Sequence, residues 1–297
     1  MNMLSPVLLY GRMIKFSHSI FALPFALSGA ALAAATHGIQ PIRLVWIVVA
    51  MVAARSAAMG FNRLVDRSID AHNPRTAQRE LPSGAMSVAA VTLFVVLSSG
   101  LLVIAAWQIN GLCLLLSPVA LAVVFAYSFT KRFTWASHLV LGLALALAPL
   151  GAWIAVTGRF DVTPVILGLA VMSWAAGFDI LYACQDCDFD QGAGLHSIPV
   201  RFGLTGALRM ARVLHMLAVL LMIGLGLSAG LQMVYYIGIA AIAALLTYEH
   251  YLVSPEDLTK VNTAFMTMNG LISVAFFVFT LADLLWMGDA TRDWILP

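Results

Sequence analysis

Apolar runs long enough to cross a bilayer recur along the whole chain, with polar residues gathered into the short segments between them. A helix spans the hydrocarbon core with about 18 or more apolar residues. Nine such runs are present, at 17–36, 43–62, 87–107, 110–128, 137–157, 162–184, 206–230, 232–252 and 263–287. Segments of about ten alternating residues, the mark of a membrane β-barrel, are absent. The pattern predicts an all-α, multi-pass bundle of about nine transmembrane helices forming one domain over residues 1–297. Arg12 and Lys15 precede the first run, but that run continues at spanning length into further helices, unlike a removable signal peptide.

Composition agrees with the pattern. The chain is 62% hydrophobic and only 10% charged, with a mean hydropathy of +0.94; soluble domains carry about 25% charged residues. The three cysteines, Cys113, Cys184 and Cys187, supply no disulfide framework. Cys184 and Cys187 have a metal-like spacing, yet a structural zinc site needs four ligands and no second pair exists. A net charge of +2 carries no nucleic-acid signal, because the basic residues flank membrane helices.

Those basic residues orient the bundle. Alternating sides along nine helices puts Arg12, Lys15, Arg63, Arg67, Arg75, Arg79, Lys131, Arg132, Arg201, Arg209, Arg212 and Lys260 on one side. Arg43, Arg159 and Arg292 fall on the other, and Arg55 lies inside the second helix. Twelve against three places the N-terminus and the long loops in the cytoplasm of the cell (inner) membrane.

Most of the acids share that side, although the chain has only 14 carboxylates. The second and sixth helices both run toward it, and each ends in an acidic stretch: Asn62, Asp66 and Asp70, then Asp179, Asp186 and Asp190. At about 100° per residue, Arg55, Asn62 and Asp66 fall within roughly 40° of one another, with Asp70 some 40° further on. Asp179, Asp186 and Asp190 align likewise if the helix persists that far. Helix C-termini carry partial negative charge, so carboxylates there imply a recruited cation. Oxygen donors at i, i+4 suit Mg²⁺, which takes one or two carboxylates together with waters and substrate phosphates. Lys15, Arg63, Arg67, Arg75, Arg79, Lys131 and Arg201 stand near to balance phosphate charge. The competing readings are acids and bases that only solvate loop ends, and a membrane carrier whose carboxylates bind a coupling ion.

Asn62-Arg-Leu-Val-Asp66-Arg-Ser-Ile-Asp70, followed by Arg75-Thr-Ala-Gln-Arg79-Glu-Leu-Pro82-Ser-Gly84, resembles the first signature of the UbiA superfamily of intramembrane prenyltransferases. Asp179-Ile-Leu-Tyr182-Ala-Cys-Gln-Asp186-Cys-Asp-Phe-Asp190, continuing to Gly203, resembles the second. Leu23-Pro24 and Tyr127-Ser-Phe-Thr-Lys131-Arg132 are also similar to the family's pattern, and the likeness runs from about residue 10 to 280. It implies helices around a central cavity and Mg²⁺-dependent transfer of a polyprenyl group from its diphosphate to an aromatic acceptor. By position, Asn62, Asp66, Asp70, Asp186 and Asp190 would hold metal. Lys15, Arg63, Arg67, Arg75, Arg79, Tyr127, Lys131 and Tyr182 would steady the diphosphate, and Asp179 would orient the site. Asp188 and Glu80 depart from the usual pattern without removing a ligand.

Arg55 lies deeper than Asn62 on the same face and needs a partner: either an acceptor carboxylate or Asp179 or another buried acid. A carboxylated acceptor points to 4-hydroxybenzoate, as in ubiquinone synthesis, or to 1,4-dihydroxy-6-naphthoate, which the wording of the second motif suggests for menaquinone synthesis. Phe125, Trp153, Phe265 and Met268 are candidates to line an allylic cation's path, with ordinary packing the simpler reading of each. His72 and His196 read as solvated loop positions.

Overall fold

The computed structural model describes residues 4–15, 19 and 21–288. Ten residues form a short first helix, α1 (Leu4–Met13). Then follow α2 (Leu23–His37), α3 (Pro41–His72), α4 (Val88–Ile109), α5 (Gly111–Thr130), α6 (Ser137–Thr157) and α7 (Val162–Ala183). The remainder comprises α8 (Cys187–Gly192), α9 (Ile198–Ala229), α10 (Met233–Tyr251), α11 (Val261–Thr263) and α12 (Asn269–Gly288). Among the described residues, eight helical segments are long and apolar enough to cross a membrane, and α2 is a shorter apolar helix of 15 residues. The first predicted span, 17–36, begins partly on residues outside those described.

Polar side chains at the breaks explain where the apolar pattern is cut. Ser87 Oγ accepts from Ala90 N–H to cap α4. Asn110 ends α4 and starts α5: its carboxamide oxygen accepts from Cys113 N–H at 2.8 Å, while its Nδ2 reaches the α6 carbonyl of Ile154 at 3.0 Å. Gln232 makes no side-chain cap for α10. Instead Asp283, buried on α12, accepts from Gln232 N–H at 2.8 Å and Tyr235 N–H at 3.0 Å, satisfying donors that hydrocarbon could not.

Successive spans pack side by side from α3 to α7, then through α9, α10 and α12, and α12 returns against α2 to close the bundle. Small residues let backbones meet: a Cβ on Gly29 would fall 2.5 Å from the Pro149 carbonyl oxygen, and one on Gly142 would fall 2.3 Å from that of Met172. The most buried span contains α7, packed between α6 and α9. Trp174, Phe25, Phe276 and Tyr235 fill the core beside it.

The structure departs from the sequence pattern in three places that bear on function. α3 continues to His72, ten residues past the predicted 43–62 span, so Asn62, Asp66 and Asp70 share one unbroken helix. α7 does not persist as expected: a 3₁₀ turn, Cys184–Asp186, separates it from α8. α9 begins at Ile198 rather than near 206 and bends at Gly203.

Candidate active site

The charged ends of α3 and α7 meet through the loop that follows α3. Asn73 and Arg75 lie just past the helix end, and both reach Asp186. Asn73 Nδ2 donates to its Oδ1 at 3.2 Å and Arg75 Nε to the same oxygen at 2.8 Å, while Arg75 Nη2 donates to Oδ2. Arg75 Nη1 also donates to the Tyr182 hydroxyl at 2.7 Å, and the guanidinium lies 5.0 Å from that ring's centroid. Burial opposes charge on Arg75, but the Asp186 carboxylate outweighs it and raises the guanidinium's pKa.

The remaining acids are held in the same way. Arg79 Nη1 lies 2.8 and 2.9 Å from the two oxygens of Asp70. Asp66 accepts from Asn62 Nδ2 at 2.8 Å and from Arg132 at 3.3 Å. Lys131 Nζ reaches Asp190 at 3.4 Å. Burial works to discharge Lys131, and Asp190, Asp179 and Asp186 together overcome it and raise its pKa. Asp70, Asp186 and Asp190 are all buried, so these pairs are formed where a lone charge would be costly.

Lys15 contrasts with these. Burial, together with Arg79, Arg63 and Arg75, lowers its pKa from 10.5 to about 8. Among the described residues it has no acid within ion-pair distance. A half-buried lysine crowded by arginines is a place for an anion.

Beneath this charged rim lies an apolar cavity of about 240 Å³, bounded by α2 to α6 and not by the whole bundle. Its walls run from Asn62 and Tyr127 at the charged end to Ile47, Ile109, Cys113 and Ile154 at the other. Alanine, leucine and isoleucine dominate them. Arg55 projects into this space: its Nη2 is 3.4 Å from the Lys15 carbonyl and its buried Nε has no hydrogen-bond partner among the described residues.

Other residues singled out from the sequence are not drawn into those ion pairs. Arg55 does not pair with Asp179, whose Oδ2 is taken by His138 Nδ1 at 2.7 Å. Arg63 is buried and donates to the Met13 carbonyl at 3.3 Å, docking the C-terminal end of α1. Arg67 folds back onto its own helix at Leu64 O, 2.9 Å away. Arg201 is exposed on the first turn of α9. α3 persists through Arg63 and Arg67. Each follows a stripe residue by one position, which turns it about 100° away. Phe125, Trp153, Phe265 and Met268 do not line the cavity. Phe125 stacks on Phe61 at 4.3 Å, and Phe265 packs on Tyr182 at 4.2 Å.

Asn73, Arg132 and His138 were not singled out from sequence. Arg132 had a signal, since it adjoins Lys131 in the same motif. Asn73 and His138 act across the fold and carried none beyond being polar at helix ends.

In type, the donor set fits a hard cation: Asn62, Asp66, Asp70, Asp186 and Asp190 offer only oxygen and no thiolate or imidazole. Among the described residues, no three His, Cys, Asp or Glu side chains are gathered closely enough to share a metal ion. Each of the four carboxylates is paired instead with a neighbouring cation.

Comparison with known proteins agrees with this geometry. Residues 22–271 match the model of the UbiA prenyltransferase family. The 4-hydroxybenzoate octaprenyltransferase of Vibrio cholerae serotype O1 is 35% identical over 248 residues, 80% of this chain and 84% of the relative. That of Escherichia fergusonii is 35% identical over 246 residues, 80% and 82% of the two chains. The apo structure of a UbiA homolog from Aeropyrum pernix K1 superposes with a TM-score of 0.79 at 30% identity, covering 91% of this chain and 98% of that one. A UbiA homolog from Archaeoglobus fulgidus, solved bound to DMAPP and Mg²⁺, shares the fold at 23% identity and a TM-score of 0.69, over 93% and 99% of the chains. The chain belongs to the UbiA prenyltransferase family and is an integral-membrane prenyltransferase.

Proposed function

We propose that the chain transfers a polyprenyl group from its diphosphate to an aromatic carboxylate of the 4-hydroxybenzoate or 1,4-dihydroxy-6-naphthoate type, in an Mg²⁺-dependent reaction of respiratory quinone synthesis. One observation carries this reading: two sets of carboxylates, each matched to a basic residue, stand at the Asn62 end of an apolar cavity lined by Arg55, whose buried Nε has no partner among the described residues. The names of the 35%-identical relatives support 4-hydroxybenzoate as acceptor and an octaprenyl donor.

Asn62, Asp66, Asp70, Asp186 and Asp190 would hold the metal, which when bound supplies Lewis-acid stabilisation of the departing diphosphate. Arg75, Arg79, Lys131 and Arg132 exchange their carboxylate partners for phosphate oxygens and spread the leaving group's charge. Lys15 adds a cation that has no acid to release, and Tyr182 orients Arg75 through its hydroxyl. The alanine- and leucine-rich walls take the prenyl tail and exclude water from the allylic cation. Arg55 binds the acceptor carboxylate, satisfying an Nε–H that is otherwise buried without a partner. The twelve-to-three distribution of basic residues supports placing the charged rim in the cytoplasm.

The test is direct. Purified protein is incubated with a polyprenyl diphosphate, Mg²⁺ and a panel of phenolic acids, and products are identified by mass. Diphosphate release with a prenylated aromatic product is expected; substrate movement without chemistry would instead establish a carrier. Arg55→Ala is expected to raise the acceptor KM at least about tenfold, the loss of a charge-assisted contact. An unchanged KM removes that role from Arg55.

A further inference from the structure

The site as described leaves the ring proton without a destination. Once the new carbon–carbon bond has formed, that proton must leave for the ring to regain aromaticity. Asp179 stands apart from the other motif acids. Its partner is a neutral-tautomer histidine and not a lysine or arginine.

The tautomer follows from the contacts. Ile198 N–H points at His138 Nε2 from 3.3 Å, and a backbone amide can only donate. Nε2 is therefore bare, the ring proton sits on Nδ1, and Nδ1 donates to Asp179 Oδ2 at 2.7 Å. His138 is completely buried, whereas the Asp179 side chain is 17% exposed. Its second oxygen, Oδ1, has no hydrogen-bond partner among the described residues. The carboxylate is thus gripped at one oxygen and open at the other.

Its height in the bundle suits the chemistry. Asp179 precedes Asp186 by seven residues, spanning the last turn of α7 and the 3₁₀ turn Cys184–Asp186, and so lies deeper in the bundle. On α3, Asn62 lies about 6 Å below Asp66 and Arg55 about 16 Å below it. Asp179, on α7, thus sits below Asp186, as Asn62 and Arg55 sit below Asp66 on α3. It is within electrostatic reach of Tyr127, which lines the cavity, and of Lys131.

We propose that Asp179 takes the ring proton and that His138 is the positioning residue that holds its carboxylate for that step. This rests on the transfer reaction proposed above. The allylic C–O bond breaks with its electron pair on the diphosphate, and the allylic carbon bonds to a ring carbon ortho to the hydroxyl. The C–H bond at that carbon then breaks, its electron pair restores the aromatic ring, and its proton forms an O–H bond with Asp179 Oδ1. The hydrogen bond from His138 fixes the aspartate's rotamer so that Oδ1 faces the ring.

The experiment compares 4-hydroxybenzoate with its ring-deuterated form, using purified protein, a short polyprenyl diphosphate and Mg²⁺. Asp179→Asn and His138→Leu are expected to lower kcat about 10²-fold, with the KM for each substrate within about twofold. In both variants proton loss becomes slow, so an isotope effect on kcat above that of the unaltered protein emerges. His138→Asn, which keeps an N–H near the position of Nδ1, is expected to restore most of kcat and to return the isotope effect toward the unaltered value. A purely structural tie between α6, α7 and α9 would shift melting temperature without changing the isotope effect. The proposal is overturned if folded Asp179→Asn turns over normally, or loses rate with no new isotope effect, which would leave the departing diphosphate as proton acceptor. Should His138→Leu not fold, the Asp179→Asn and His138→Asn results decide alone. Absence of prenylated product with the unaltered protein overturns the transfer reading itself, a distinguishable failure.

Discussion

Lys15 converts its surroundings into a pH dependence. Its pKa is lowered to about 8 by burial and by Arg79, Arg63 and Arg75, so its charge is lost as pH rises through about 8 and is fully present below. An anion bound there favours the charged form. The donor KM is therefore expected to climb above about pH 8, and Lys15→Gln should show a raised KM at pH 7 with that limb of the profile flattened. An unchanged alkaline limb in the variant would assign it to another group. Exchanging Asp66 or Asp186 for alanine should lower Mg²⁺-dependent prenylation by at least about 10²-fold with the protein still folded; normal turnover in either would sink the clamp. These acids were legible in the sequence because i, i+4 spacing on a helix is a geometric statement in itself. Arg67 stands off the acidic stripe because a residue one position from it is near in sequence and a quarter-turn away in space.

At the scale of the elements, the joints matter more than the spans. The continuation of α3 to His72 keeps the first acidic stripe rigid, and the loop after it returns Arg75 and Arg79 to the acids. The break after α7 sets Asp186 on a 3₁₀ turn and Asp190 on α8, where each meets its own cation. A second polar seam, outside the clamp, joins α7, α9, α10 and α12. His215 Nε2 lies 3.2 Å from the Trp174 carbonyl and its Nδ1 3.0 Å from His250 Nε2, while Asn269 donates to Glu249. Gly177 makes room for it, since a Cβ there would stand 2.2 Å from His215 Cδ2. Gly177→Ala is expected to cost about 1–3 kcal/mol by overpacking, read as a lower melting temperature. Gly177→Ala combined with His215→Ala should recover part of that loss; no recovery would show that the clash lies elsewhere. The π-helical turn Ala264–Met268 next to Asn269 interrupts what the apolar pattern alone predicts as one continuous last helix.

For the whole molecule, the decisive asymmetry is that α2 to α6 line the cavity, while α7, α9, α10 and α12 contribute Trp174, Met222, Ile242 and Ile272 to the buried core. Donor length should then be set by the first half of the bundle. Ala106, buried on α4 and lining the cavity, is a position to test: Ala106→Phe adds bulk away from the charged rim. Long polyprenyl diphosphates should lose kcat/KM by at least about tenfold, the steric penalty of overfilling a packed site, while a two-isoprene donor is little affected. Equal losses for long and short donors would show that the tail takes another route.

The sequence by itself determined the helical membrane class, the approximate spans, the family and the faces of the two acidic stripes. All of these follow from local periodicity, residue type and motif spacing. Only the tertiary structure decided which cation holds which acid, that the cavity lies to one side, that Asp283 caps a helix 48 and 51 residues away in sequence, and that His138 grips Asp179 from 41 residues away. Such partnerships depend on how helices pack against one another, and helical periodicity records which face a residue occupies but not what will be brought against it.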